Sequence, residues 1–146
     1  MLFRLAELFG FLRMRYRFVF FDMPPAMWAG NSYILSRCNH IVVVANTIDL
    51  ATMRDTTSLL ESILATHIPR ERVHLIANRV SRQNQFTVKD LEEATGFEVQ
   101  VQLPEDGPLV IGAYNEGKPF VLSSPNAPIS QALQKLADLL LEGIAV

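Results

Sequence analysis

The chain has 146 residues, of which 49% are apolar and 19% charged, with a net charge of −2. That composition suits one globular domain with a substantial core and excludes a disordered acidic or basic tail. A charge so near zero creates no demand for nucleic acid. The single cysteine, Cys38, excludes a disulfide framework and any multi-cysteine metal centre, in keeping with a reducing compartment.

No apolar run reaches the roughly 20 residues of a membrane span. The apolar start is broken by Arg4 and Glu7 and lacks a small-residue cleavage site, so a cytoplasmic protein is expected. Charge is uneven along the chain. Residues 1–37 hold five Lys/Arg against two Asp/Glu, and residues 38–146 hold eight against thirteen.

Met1 to Met14 has helical spacing, with Met1, Leu5, Leu8 and Leu12 on one face. Phe18 to Phe21 is a short apolar run ending at Asp22 and predicts a strand. Asn31 to Arg37 predicts a short helix. Ile41 to Ala45 is β-branched at nearly every position, which predicts a strand buried on both faces. Leu50 to Thr66 is a helix with Asp49 as N-cap. Val73 to Ala77 is the next strand. Thr87 and Asp90 have capping-box spacing and open a helix that Gly96 ends. Phe97 to Leu103 alternates, so it belongs near a sheet edge. Pro108 to Glu116 is a helix closed by Gly117, Phe120 to Leu122 reads as a brief strand, and Pro128 to Leu141 is the last helix.

Alternating strands and helices predict an α/β domain, residues 1–146, with a mostly parallel sheet of four or five strands. In such sheets chemistry sits beyond the carboxyl ends of the strands. Those ends are Asp22 to Pro25, Asn46 to Asp49, Asn78 to Ser81 and Pro104 to Asp106. An acid following an apolar strand can orient the water shell of Mg²⁺ or simply cap a turn. Asn78 can bond a purine edge as donor and acceptor, or form a turn. Pro104-Glu105-Asp106 can approach a base ring or cap the following helix.

Taken together and in order, these segments resemble the MinD/ParA class of deviant-Walker ATPases. "YRFVFFDMPP" (Tyr16 to Pro25) is similar to that class's Walker B stretch. "IVVVANTIDLATMRDT" from Ile41, "HLIANRV" from His74, "QLPEDGPLVIGAYNEGKPFVL" from Gln102 and the closing "SSPNAPISQALQKLADLL" resemble its later segments. Within the class the likeness is nearest to the CpaE/TadZ proteins that position pili, with MinD next. The resemblance implies a P-loop NTPase fold, ATP and Mg²⁺ as ligands, Asp22 on the metal side through water, and Asn78, Arg79, Pro104, Glu105 and Asp106 on the adenine side. It also implies a homodimer, or docking on a full-length relative, and pilus or secretion proteins as partners.

The departure from the pattern is as informative. The class begins with a strand and a "KGGxGKT" loop, and this sequence resembles only the segments downstream of that loop. Its lysines, Lys89, Lys118 and Lys135, are not in a glycine-rich loop after a strand, and Ala26 replaces the usual glycine after the two prolines. Gly112 to Pro119 is one residue short of a P-loop, since Pro119 supplies neither a hydroxyl nor an amide. The expectation is therefore a truncated domain that does not hydrolyse ATP alone. The alternatives are a non-catalytic interaction module, or a fragment of a longer ATP-binding cell-division or partition ATPase whose coding region starts upstream.

Without the first strand, Phe18 to Phe21 would either pair directly with Ile41 to Ala45 or leave an edge for another chain. His40, His67 and His74 lack metal spacing and read as structural; Cys38 reads as a small buried residue, and Trp28 as a loop residue. The arginines of the first helix (Arg4, Arg13, with Arg15 and Arg17 after it) suit peripheral contact at the inner membrane face, although an amphipathic helix more commonly faces a core.

Overall fold

The computed structural model describes residues 2–26 and 29–142; Met1 and Trp28 lie outside them. The chain runs α1 (Leu2–Arg15), α2 (Ala29–Arg37), β1 (Ile41–Ala45), α3 (Leu50–Leu64), β2 (Val73–Val80), α4 (Val88–Thr95), β3 (Val99–Pro104), α5 (Gly107–Glu116), α6 (Phe120–Ser123) and α7 (Pro128–Leu141). The three strands form one parallel sheet in the order β1-β2-β3, with Ile41 opposite Val73 and Leu75 opposite Val99. The fold is thus α/β with a parallel sheet between helices, as expected, though with three strands among the described residues rather than four or five.

Local chemistry sets most boundaries. Asp49 caps α3 by accepting from the Thr52 amide at 2.8 Å. Thr87 and Asp90 close the capping box, each side chain accepting from the other's backbone N–H. Gly96 ends α4 at φ 66° and Gly117 ends α5 at φ 64°, a left-handed conformation that glycine adopts without a Cβ clash.

The core lies on both faces of β2. On one face Val43, Leu75 and Ala77 pack with Leu60 and Ile63 of α3 and Leu91 of α4. On the other, Ile76, Val101 and Leu103 pack under Ala132, Leu133 and Leu136 of α7.

Three expectations are corrected. Phe18 to Phe21 is not a strand: no hydrogen-bonded neighbour lies beside it, and a strand exists only as part of a ladder. β1 is not buried on both faces. Ile41, Val43 and Ala45 are buried, but Val42 and Val44 are exposed, because α7 packs over β3 and leaves β1 uncovered. Phe120 to Leu122 is helical, since the Leu122 and Ser123 amides both turn back to the Pro119 carbonyl. In addition, β2 continues to Val80, so Asn78 and Arg79 lie within the strand, just before Val80, rather than in a loop beyond it.

Candidate functional site

The carboxyl ends of β1, β2 and β3 meet in a tied cluster of loops. Thr47, just past β1, is 1% exposed. Its hydroxyl accepts from Asn84 Nδ2 at 2.9 Å and its carbonyl from the Phe86 amide at 3.2 Å. Asn84 Nδ2 also donates to the Arg79 carbonyl at 3.0 Å, so the 81–86 loop is pinned across the ends of β1 and β2.

Arg79 sits at φ 55°, and its amide donates to the Asn78 side-chain oxygen at 3.0 Å. That local bond supports a left-handed turn that a side-chain-bearing residue rarely adopts. It occupies one lone pair of the Asn78 oxygen, and the amide nitrogen Nδ2 has no hydrogen-bond partner among the described residues. The Arg79 guanidinium reaches Glu105 at 2.7 Å, and the Glu105 amide donates to the Val80 carbonyl at 3.0 Å. Asp106 is the N-cap of α5, accepting from the Leu109 amide at 3.2 Å. Of the readings open for Pro104-Glu105-Asp106, helix capping is therefore present for Asp106, while Pro104 closes β3.

The structure brings Asn78, Arg79, Pro104, Glu105 and Asp106 to one end of the sheet. Asp22 is exposed and lines an open cleft of about 1010 Å³ beside β1, which none of those five residues lines.

The fit to a magnesium nucleotide is one-sided. The free Asn78 Nδ2 and the half-buried Pro104 suit the edge and face of a base. For the phosphates, among the described residues no lysine lies in a loop following a strand, the Arg79 guanidinium is paired with Glu105, and no three His, Cys, Asp or Glu gather to hold a metal. The described residues therefore offer polar groups at this edge without a cationic cradle that would suit a triphosphate with its metal.

Two features escaped sequence reasoning. One is the Thr47–Asn84 tie, whose only signal was that both are polar residues after strands. The other is a relay at the opposite end of the sheet. His40 Nδ1 lies 2.9 Å from His74 Nε2, and His74 Nδ1 lies 2.6 Å from Gln100 Oε1. Gln100 Oε1 can only accept, so His74 carries its proton on Nδ1 and accepts from His40 when both rings are neutral. Burial, and then the neighbouring His74 and Arg72, hold the His40 pKa below its ordinary value. Cys38 is half-buried, donates to the Ile34 carbonyl at 3.3 Å, and has its pKa raised by burial.

No protein-family model matches the chain, and no curated protein matches its sequence. Solved structures do match its fold. A ParA family ATPase from Chlorobium tepidum TLS superposes with a TM-score of 0.79 at 18% identity, over 94% of this chain and 56% of its own. The cell division ATPase MinD from Pyrococcus furiosus gives 0.77 at 19% identity, over 95% and 57%. The septum site-determining protein MinD from Pyrococcus horikoshii, complexed with Mg-ADP, gives 0.77 at 22% identity, over 97% and 58%. This chain spans a little over half the length of each. Over that span it has the fold of the MinD and ParA ATPases.

Proposed function

We propose that this chain is a partial MinD/ParA-like domain of the CpaE/TadZ kind, which helps position or assemble a pilus or secretion machine through protein contacts. The observation that supports this best is the contrast at the carboxyl edge. The base-side segments, Asn78 with Arg79 and Pro104 to Asp106, are ordered by their own hydrogen bonds, while nothing comparable among the described residues serves the phosphates. Catalysis of phosphoryl transfer is almost entirely positioning and charge neutralisation, so this arrangement does not supply it. The 146-residue chain then binds adenine nucleotide weakly, through the base, and does not hydrolyse it. Asp22 keeps the Walker B position, and no partner set for Mg²⁺ gathers around it among the described residues. The chain acts at the cytoplasmic side of the membrane, as a homodimer or docked on a full-length relative. No helix among the described residues is long and apolar enough to cross a membrane.

Calorimetric titration of the chain with ATP and Mg²⁺ tests this. Heat that fails to saturate below about 1 mM, and that disappears in Asn78→Ala, is the expected result. Saturation at micromolar ATP would overturn it. A second reading is favoured by the 56% to 58% span of the superposed ATPases: the chain is a portion of a longer ATP-binding partition or cell-division ATPase. An in-frame glycine- and lysine-rich loop upstream in the gene, with micromolar ATP binding by that longer protein, would select it.

A further inference from the structure

We propose that His40, His74 and Gln100 form an acid-sensitive clasp across the amino end of the sheet, which holds with one added proton and parts with two. The clasp lies at the opposite end of the strands from Asn78 and is independent of nucleotide binding.

The clasp spans all three strands. His40 immediately precedes β1, His74 lies in β2 opposite Val42, and Gln100 lies in β3. His40 Nδ1 is 2.9 Å from His74 Nε2, and His74 Nδ1 is 2.6 Å from Gln100 Oε1. His74 is only 5% exposed, so both its ring nitrogens depend on these partners.

With both rings neutral, every proton has a place. His74 Nδ1–H donates to Gln100 Oε1, and His40 Nδ1–H donates to His74 Nε2. One nitrogen is left over, His40 Nε2, on a half-buried ring that lines the cleft beside β1. A first added proton binds there and breaks neither hydrogen bond. A second has only His74 Nε2 to bind, and that atom is the acceptor of the clasp. Two N–H groups, each on a cation, would then face each other across a gap of 2.9 Å.

The surrounding charges act against each proton. Arg72, just before β2, donates through Nη2 to the Leu35 carbonyl at 3.4 Å and the Ser36 carbonyl at 3.3 Å. Arg13 of α1 donates to the Arg37 carbonyl at 3.0 Å. Both guanidiniums are thus held where α2 gives way to β1, and Arg37 lines the same cleft as His40. Asp22 also lines that cleft, while Glu98 before β3 and Lys135, Asp138 and Glu142 around α7 are exposed. No ion pair joins either ring to a carboxylate among the described residues. The Cys38 thiol adds no negative charge, because burial raises its pKa. Burial, then His74 and Arg72, hold the His40 pKa below its ordinary value.

Parting the clasp loosens β1 before the rest of the sheet. Backbone pairing of β1 with β2 begins one residue after His40, at Ile41 opposite Val73. The second proton therefore removes the side-chain tie that precedes that ladder.

Histidine-ring NMR on the ¹⁵N-labelled 146-residue chain, titrated from about pH 8 down to acid unfolding, tests the clasp. At the alkaline end both rings should carry their proton on Nδ1. His40 should charge first, with no change in amide exchange at residues 41–45. His74 should charge second. In that step the amides joining β1 to β2 should exchange at least about tenfold faster, after correction for intrinsic pH dependence, while those joining β2 to β3 stay slow. In Gln100→Glu the first proton should move to His74, whose Nδ1–H would then face a carboxylate, and His40 should stay neutral. Any of four results would overturn the proposal: a His74 protonated on Nε2 alone at about pH 8; two rings that charge with no effect on exchange in β1; unfolding of the whole sheet before His74 charges; or a first proton that remains on His40 in Gln100→Glu.

Discussion

The two ends of this molecule use similar residues to opposite effect. Around β2, Leu75, Ile76, Ala77 and Leu91 are wholly buried between α3, α4 and α7. In residues 2–26, where the apolar content is as high, Phe9 is buried against Phe21 and Tyr33, while Met14 and Phe20 lie open. An apolar run makes a strand or a core only where a neighbour supplies hydrogen bonds and a surface to bury. The "FVFF" run at Phe18 has the composition of a strand and lacks the neighbour.

The contrast can be broken or sharpened by measurement. The largest effect belongs to the buried end. Leu75→Ala should cost about 2–5 kcal/mol, read as a lower urea midpoint with an unchanged m-value. Next comes Thr87→Ala, which removes the hydroxyl of the capping box and should cost about 1 kcal/mol in the same assay. A pH titration of stability comes third. The His40 pKa is lowered in the folded chain, so the unfolded chain binds more protons in the window below 6.5. The His40 contribution is therefore complete above pH 6.5 and is lost on acidification through that window. His40→Gln should flatten that limb. Arg79→Ala should leave the urea midpoint within error, because its pair with Glu105 is solvent-screened. Phe20→Ala, at the open end, should change stability by less than about 0.5 kcal/mol, and a larger loss would mean that the segment packs in solution.

Much of the fold was legible in the residues. The Thr87–Asp90 box, Asp49, Gly96, Gly117 and Pro128 each act within one turn of chain, so their roles follow from local chemistry alone. β1, β2 and β3 were recognisable because their β-branched runs are short and bounded. The candidate site was legible only as four polar strand ends. That Arg79 would meet Glu105, and Thr47 would meet Asn84, depends on strand order and register, which join residues 26 and 37 positions apart. Asp22 was expected with the other three segments because the strand before it was expected in the sheet. Among the described residues that strand is not in the sheet, and Asp22 lines the cleft beside β1.

The sequence by itself determined the helices, their caps, the parallel α/β class and which residues stand at the carboxyl edge, because periodicity and turn chemistry act over a few neighbouring residues. Only the tertiary structure decided how many strands pair, which face of β1 stays open, and that His40, His74 and Gln100 form one relay. Those outcomes depend on which distant surfaces come within a few ångströms, and hydrogen bonds and apolar contacts form only at that range.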